Sequence, residues 1–126
     1  MTADLTITVV NRYRLTAAED AFVAAVAAMA RRVEAEGHPG VLSYHFFCVA
    51  GEGRAVVTYA NPDAWVGHHD IAMGWPEMLA VRAVCYLEEI SLYGPVSDTM
   101  RDWLAKAGMI GRLSHAGEAV AGFRRG

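Results

Sequence analysis

Residues 5 to 14 alternate in polarity. Leu5, Ile7, Val9, Asn11 and Tyr13 fall on one side, and Thr6, Thr8, Val10, Arg12 and Arg14 on the other. A period of two predicts a strand, with polar Asn11 interrupting its apolar side. The period then lengthens. Thr16-Ala-Ala-Glu19 reads as a capping box opening an alanine-rich helix. Phe22, Val26, Met29 and Val33 form that helix's inner stripe as far as about Glu36, where Gly37 stops it. His38-Pro39-Gly40 turns the chain into a second alternating run, Val41 to Val49. Leu42, Tyr44, Phe46 and Cys48 oppose Ser43, His45 and Phe47 in it. Gly51-Glu52-Gly53 is a short turn into a third strand, Arg54 to Tyr59, which makes a hairpin. A helix over Pro62 to Ala72 follows, then a break at Gly74. A short helix from Pro76 to about Val81 leads to a fourth strand, Val84 to Tyr93. The order β-α-β-β-α-β is the split, ferredoxin-like arrangement of an α+β fold.

Both sides of these strands carry apolar residues. Val10, Phe47, Val56, Leu87 and Tyr93 predict that the side away from the helices is covered as well. The simplest cover is a second copy of the same sheet, so a homodimer packed sheet to sheet is expected. The unit is complete at residue 94. Residues 95–126 are expected to extend the same domain as a helix and a tail. Ser97 is placed to cap that helix, which holds Met100, Trp103, Leu104 and Ala107 and ends at Gly108. Glu118 to Phe123 is a candidate edge strand, on this sheet or on a partner's. No internal repeat is present and no linker marks a second domain.

The chain has 126 residues, 54% of them hydrophobic and 20% charged, enough for a single core. A net charge of −3 without a basic run argues against nucleic acid. No apolar run approaches the roughly 20 residues that a bilayer span needs. The N-terminal stretch has neither a basic start nor a cleavable apolar segment, so a cytoplasmic location is expected. Cys48 and Cys85 are then free thiols within strands.

The candidate chemistry lies in Tyr59-Ala-Asn-Pro-Asp-Ala-Trp-Val-Gly-His-His-Asp70. Asn61 is a good N-cap, Pro62 suits the first helical position, and Asp63 complements the helix dipole. At 100° per residue, Ala64, Trp65, His68, Ile71 and Ala72 share one face. His68 should therefore point inward, where burial would hold it neutral. His69 is expected at the rim or in solvent, and Asp70 should point away. Because His68 and His69 diverge, no shared metal is expected. Gly51-Glu52-Gly53 is no phosphate loop, since no helix follows it, and no Ser-His-Asp pattern is present. A histidine on an apolar face is more often a satisfied core residue than a catalyst, and Asn11 has an equally structural reading as a paired buried amide.

The element order, His38-Pro-Gly-Val-Leu-Ser-Tyr44 and Asp63-Ala-Trp-Val-Gly-His68 together resemble the antibiotic-biosynthesis monooxygenase family. Pro39, Gly40 and His68 carry the match, which spans roughly residues 5 to 94 and leaves out the C-terminal extension. The resemblance implies a dimeric α+β barrel with a pocket between sheet and helices. It implies oxidation of a flat, ionisable aromatic compound by O2 without flavin, haem or metal. Asn11-Arg-Tyr-Arg-Leu-Thr16 also resembles the first strand of haem-degrading monooxygenases. Asn11 matches there, but His68 stands where those enzymes have a tryptophan, and the ligand-histidine position falls near Met78. Two of three site residues thus depart from that pattern.

The expected activity is therefore a cofactor-independent monooxygenase acting on a polyketide-like aromatic. His68 and Asn11 are the candidate catalytic residues, and Tyr44, Trp65, Trp75 and Tyr86 the candidate substrate-binding ones. Alternatives are an isomerase or cyclase on the same barrel, a haem-degrading enzyme and a non-catalytic ligand-binding dimer. Oxygen uptake separates the first of these from the leading reading.

Overall fold

The computed structural model describes residues 4–125. Its elements follow the changes of period closely. They are β1 (Ile7–Leu15), α1 (Glu19–Glu36), β2 (Val41–Val49), β3 (Glu52–Tyr59), α2 (Pro62–Ala72), α3 (Pro76–Val84), β4 (Cys85–Tyr93), α4 (Asp98–Lys106) and β5 (Leu113–Gly117). The sheet order is β2-β3-β1-β4-β5. The first four strands pair antiparallel in the ferredoxin-like order, and β5 joins parallel to β4.

One side of the sheet carries the core, in two clusters. Ile7, Val9, Val57, Tyr59, Ile90 and Leu92 meet Ala64 and Trp65 of α2 and Met100 and Leu104 of α4. Phe22, Val26, Met29 and Val33 of α1 meet Val81 of α3 and Cys85, as the inner stripe predicted. Gly53 lies within β3, and a Cβ there would sit 2.6 Å from Phe22 Cζ. Its missing side chain is what lets α1 approach the sheet.

Several expectations fail locally. The capping box does not form: α1 starts at Glu19 after Ala18, with no side-chain cap. The Thr16 amide instead donates to the Val84 carbonyl at 2.9 Å, so the chain stays tied to the end of α3. The hairpin turns at Ala50 and Gly51, whose φ values of 51° and 80° match the twist of the flanking strands. A bulge between Val41 and Ser43 throws Leu42 outward, off the Tyr44 side. A second irregularity, opposite Arg12 and Tyr13, reverses the alternation of β4. Leu87 therefore packs inward and Tyr86 faces outward, the reverse of the uninterrupted pattern. Ile71 is exposed. The added edge strand is β5, and residues 118–125 join no strand.

The C-terminal extension is part of the core. Ser97 caps α4 by accepting the Met100 amide at 3.1 Å. Met100 and Leu104 are fully buried, and Gly108 ends the helix region at φ 72°. No helix among the described residues is long and apolar enough to cross a membrane.

Candidate active site

α2 is built as its sequence predicts. Asn61 Oδ1 accepts the Ala64 amide at 2.8 Å, and Pro62 opens the first turn. Ala64, Trp65, His68 and Ala72 form the buried side. His68 is 2% exposed and lies against the inner side of the sheet. Its ring centroid is 5.6 Å from that of Tyr44 on β2 and 5.9 Å from that of Tyr59 on β3. Its Nδ1 is buried without a hydrogen-bond partner. Burial, followed by the neighbouring His69 and His38, pushes its pKa down to about 3, so the imidazole is neutral near pH 7.

Asn11 shows the same property from the sheet side. Its amide nitrogen donates to Tyr13 Oη at 3.1 Å, and its Oδ1 is buried without a partner. Turned end for end, the amide would still leave one end bonded to Tyr13 and the other bare. Most buried polar groups in proteins are paired. Among the described residues, these two atoms are the buried side-chain polar atoms that are not.

Three tyrosines complete the surroundings. Burial raises the Tyr13 hydroxyl to about 12, against a smaller opposing effect of the Asn11 hydrogen bond. Burial also raises Tyr44 and Tyr59, with further upward contributions from Tyr13 on both and from Tyr44 on Tyr59. All three therefore remain protonated and neutral near pH 7. Aromatic contacts run from His68 through Tyr44, Phe46 and Phe22 to Tyr13. Tyr13 and Tyr59 were absent from the sequence candidates. Tyr13 had a signal, because it lies two residues beyond Asn11 on the same side of β1. Tyr59 had only its place at the end of an inward-facing strand.

The other sequence candidates lie elsewhere. Trp65 is buried beside His68 but packs edge-on to Trp103 of α4, 5.3 Å between centroids. Trp75 belongs to the α1–α3 cluster, with the Arg32 guanidinium 4.4 Å over its ring. Arg32 is itself held by Glu36 and Glu77, each at 2.8 Å. Tyr86 is on the far side of the sheet and 44% exposed. Its hydroxyl accepts from Arg112 at 2.8 Å. It therefore cannot meet a substrate held at His68.

His69 is half-buried, at the rim of the buried side of α2 as its helical phase predicts, and is lined there by aromatic rings. Its ring lies 4.0 Å from Trp65 and 5.1 Å from Trp103, and its Nδ1 is 2.8 Å from the Trp65 carbonyl. Burial pushes its pKa down to about 4, against the raising effects of that carbonyl and of Asp70. Asp70 accepts the Trp103 indole N–H at 2.9 Å. The helical phase was sound, but α4 lies over this side of α2.

Cys85 is a buried thiol, raised to about 11 by burial, and donates to the Val81 carbonyl at 3.2 Å. Among the described residues no three His, Cys, Asp or Glu side chains gather to hold a metal ion.

No protein-family model matches the sequence, and no curated protein matches it. Solved structures do. MupZ from Pseudomonas fluorescens superposes with a TM-score of 0.70 at 16% identity, covering 99% of this chain and 93% of its own. A mutant form of SnoaB, a cofactor-independent oxygenase from Streptomyces nogalater, gives 0.61 at 22% identity, over 75% of this chain and 96% of its own. A Caulobacter crescentus protein, provisionally named an antibiotic biosynthesis monooxygenase, gives 0.57 at 22% identity, over 75% and 92%. At these identities the likeness shows the fold: this chain has the α+β fold of the antibiotic biosynthesis monooxygenase proteins. The match to MupZ takes in nearly the whole chain, the C-terminal extension included.

Proposed function

We propose that this protein is a cofactor-independent monooxygenase that oxidises a flat, ionisable aromatic compound with O2. One observation carries the reading. The two polar side chains that break the apolar faces of β1 and α2 both keep an unpaired buried polar atom, His68 Nδ1 and Asn11 Oδ1. A buried polar atom that finds no partner in the protein costs stability unless a bound molecule, a water or a ligand, pairs with it, and two such atoms on facing elements mark a place where a polar molecule fits. The fold shared with a named cofactor-independent oxygenase supports the same reading.

The site's chemistry favours holding an anion. A base whose conjugate acid has a pKa of about 3 removes a proton from a phenol poorly. A neutral imidazole N–H, by contrast, donates to a phenolate or enolate without the cost of a buried charge. Tyr13, Tyr44 and Tyr59, held protonated by burial, are further neutral donors. An anthrone-type CH2, flanked by two aryl rings and conjugated through them to the carbonyl across the central ring, loses one proton to water as it enters the site and gives an electron-rich enolate. That enolate gives electrons to O2, and a C–O bond forms as a peroxide, which takes one proton back before it loses water. Loss of water from the peroxide leaves a new C=O, so one oxygen atom enters the product and the other leaves as water. In this scheme the protein stabilises the anion and excludes water.

The test is oxygen uptake with a hydroxylated anthrone, following quinone formation. Wild type is expected to consume one O2 per quinone formed. His68→Ala should lower turnover by about 10²-fold, the effect typical of losing one anion-stabilising donor. Quinone formed at the uncatalysed rate with wild-type protein would sink the oxygenase reading. Isomerised or cyclised product without oxygen uptake would put acid–base chemistry in its place.

A further inference from the structure

We propose that the groove between the C-terminal end of α1 and β2 is the outer subsite of the His68 site, and that His38 is its fixed, specificity-determining wall. The proposal rests on the oxygenase reading for its occupant, the far end of a flat aromatic of two or more fused rings. The groove has a volume of about 560 Å³, within the usual range for small-molecule sites. Val33, Val41 and Tyr44 give it an apolar side, and Arg31 and Glu34 stand with His38 among its polar lining. It does not include His68. Tyr44 stands between them, lining the groove while its ring lies edge-on to His68 at 5.6 Å.

His38 is clamped by two glycines. Its Nδ1 accepts the Gly40 amide at 2.9 Å. A Cβ on Gly67, one residue before His68, would lie 2.5 Å from His38 Cδ2 and 2.8 Å from Nε2. A Cβ on Gly40 would lie 2.4 Å from Ala64 Cβ and 3.0 Å from His38 Nδ1. Glycine in mid-helix is unfavourable compared with alanine, so Gly67 needs a packing reason. Close approach of the His38 imidazole to α2 supplies it. The bulge between Val41 and Ser43 turns Leu42 outward at the same edge, where Leu42 still lines the groove beside Ser43 and His45. Bulges are frequent beside sites, where they re-aim side chains. One three-residue turn, His38-Pro39-Gly40, thus docks on α2 so that its imidazole borders both the groove and the residue preceding His68.

The experiment uses a dihydroxyanthraquinone as the probe, a product-like compound that cannot be oxidised further at the same carbon. Its binding is followed by calorimetry and by the imidazole NMR signals of His38 and His68. Wild type should bind the probe at one site, and both imidazoles should shift. Ala30→Trp fills the groove from α1 and should weaken binding by at least about 10-fold, the effect of excluding one ring from an apolar surface. Val23→Trp, on an exposed part of the same helix away from the groove, should bind as wild type does. Should Ala30→Trp fail to fold, Glu34→Trp at the exposed rim makes the same test. The proposal is overturned if the groove-filled variant binds within about twofold of wild type. It is also overturned if His68 shifts while His38 does not, or if wild type fails to bind at millimolar probe. Oxygen uptake separates the two ideas. Groove-dependent binding without oxidation of the anthrone would leave the subsite standing and remove the oxygenase reading. Oxidation that both tryptophan variants leave unchanged would do the reverse.

Discussion

His68 and His69 are adjacent, both neutral, and set apart by what surrounds them. His68 faces the sheet with its Nδ1 unpaired by the protein, whereas His69 packs against two indole rings with its Nδ1 on a carbonyl. Their depressed pKa values make a linkage prediction. In the unfolded chain each imidazole takes up its proton near the ordinary value of 6.5, but in the fold only near 3 for His68 and 4 for His69. Between those limits the unfolded state binds more protons, so stability is full above pH 6.5 and falls as the pH drops towards 4. The slope should approach about 1.4 kcal/mol per pH unit for each histidine. Urea midpoints from pH 7 to pH 4.5 measure it, and His68→Gln should make the profile shallower. A flat wild-type profile would show that neither imidazole is buried as described. His69→Ala should lower the melting temperature, because it removes the ring that packs against both Trp65 and Trp103, and should leave turnover per folded molecule intact. At this scale the sequence was informative where a polar residue broke an apolar face, as Asn11 and His68 do. It was uninformative for Trp75 and Tyr86, because an aromatic side chain does not announce which side of an element it is on.

α4 is the element that turns a ferredoxin-like unit into this molecule. It places Met100 and Leu104 in the same cluster as Ile7 and Leu92, and its Trp103 reaches back to Asp70 on α2. The helix carrying His68 is thus held from behind by residues outside the β-α-β-β-α-β unit. Leu104→Ala should destabilise the protein by about 2–5 kcal/mol, as for a fully buried leucine. Measured by denaturant melts, a loss below about 0.5 kcal/mol, typical of a surface site, would show that α4 is a loosely attached appendage. The helices were legible because their apolar stripes and end signals agreed: Asn61-Pro62 opens α2, Ser97 caps α4, and Gly37 and Gly108 mark ends. Strand alternation was legible only up to the bulges. One added residue in β2 and one in β4 reverse the phase, which is why Leu42, Tyr86 and Leu87 were assigned to the wrong sides. A bulge leaves no compositional mark in either strand. The aromatic lining of the His69 rim was hidden for a different reason, since Trp103 comes from a helix about thirty residues downstream whose docking surface no local pattern specifies.

The outer side of the sheet decides how the whole molecule is assembled. Phe47 is 53% and Tyr93 52% exposed on it, with Val10 and Val56 half-buried between them. Its charges do not oppose self-association. Arg12 lies 3.7 Å from Glu52, 3.4 Å from Glu88 and 3.9 Å from Glu89, and Arg54 is 2.9 Å from Glu52. Two guanidiniums offset all but one of these three carboxylates within the face, so a second copy brings apolar side chains with little net repulsion. An antiparallel sheet with helices on one side leaves its other side to water or to a partner, and apolar residues at strand centres favour a partner. We expect a two-fold dimer in which the sheets pack face to face, burying on the order of 800 Å² per subunit if it is a standard stable interface. Val56→Asp tests it, because Val56 lies at the centre of β3 on the side away from the core. The substitution should convert the dimer to monomer in sedimentation at micromolar concentration. The near-ultraviolet signal of Trp65 and Trp103, on the opposite side of the sheet, should be retained. Wild type sedimenting as a monomer would refute the dimer itself. A variant that stays dimeric would move the interface off this face and on to an edge, where β2 and β5 are the strands left unpaired on one side.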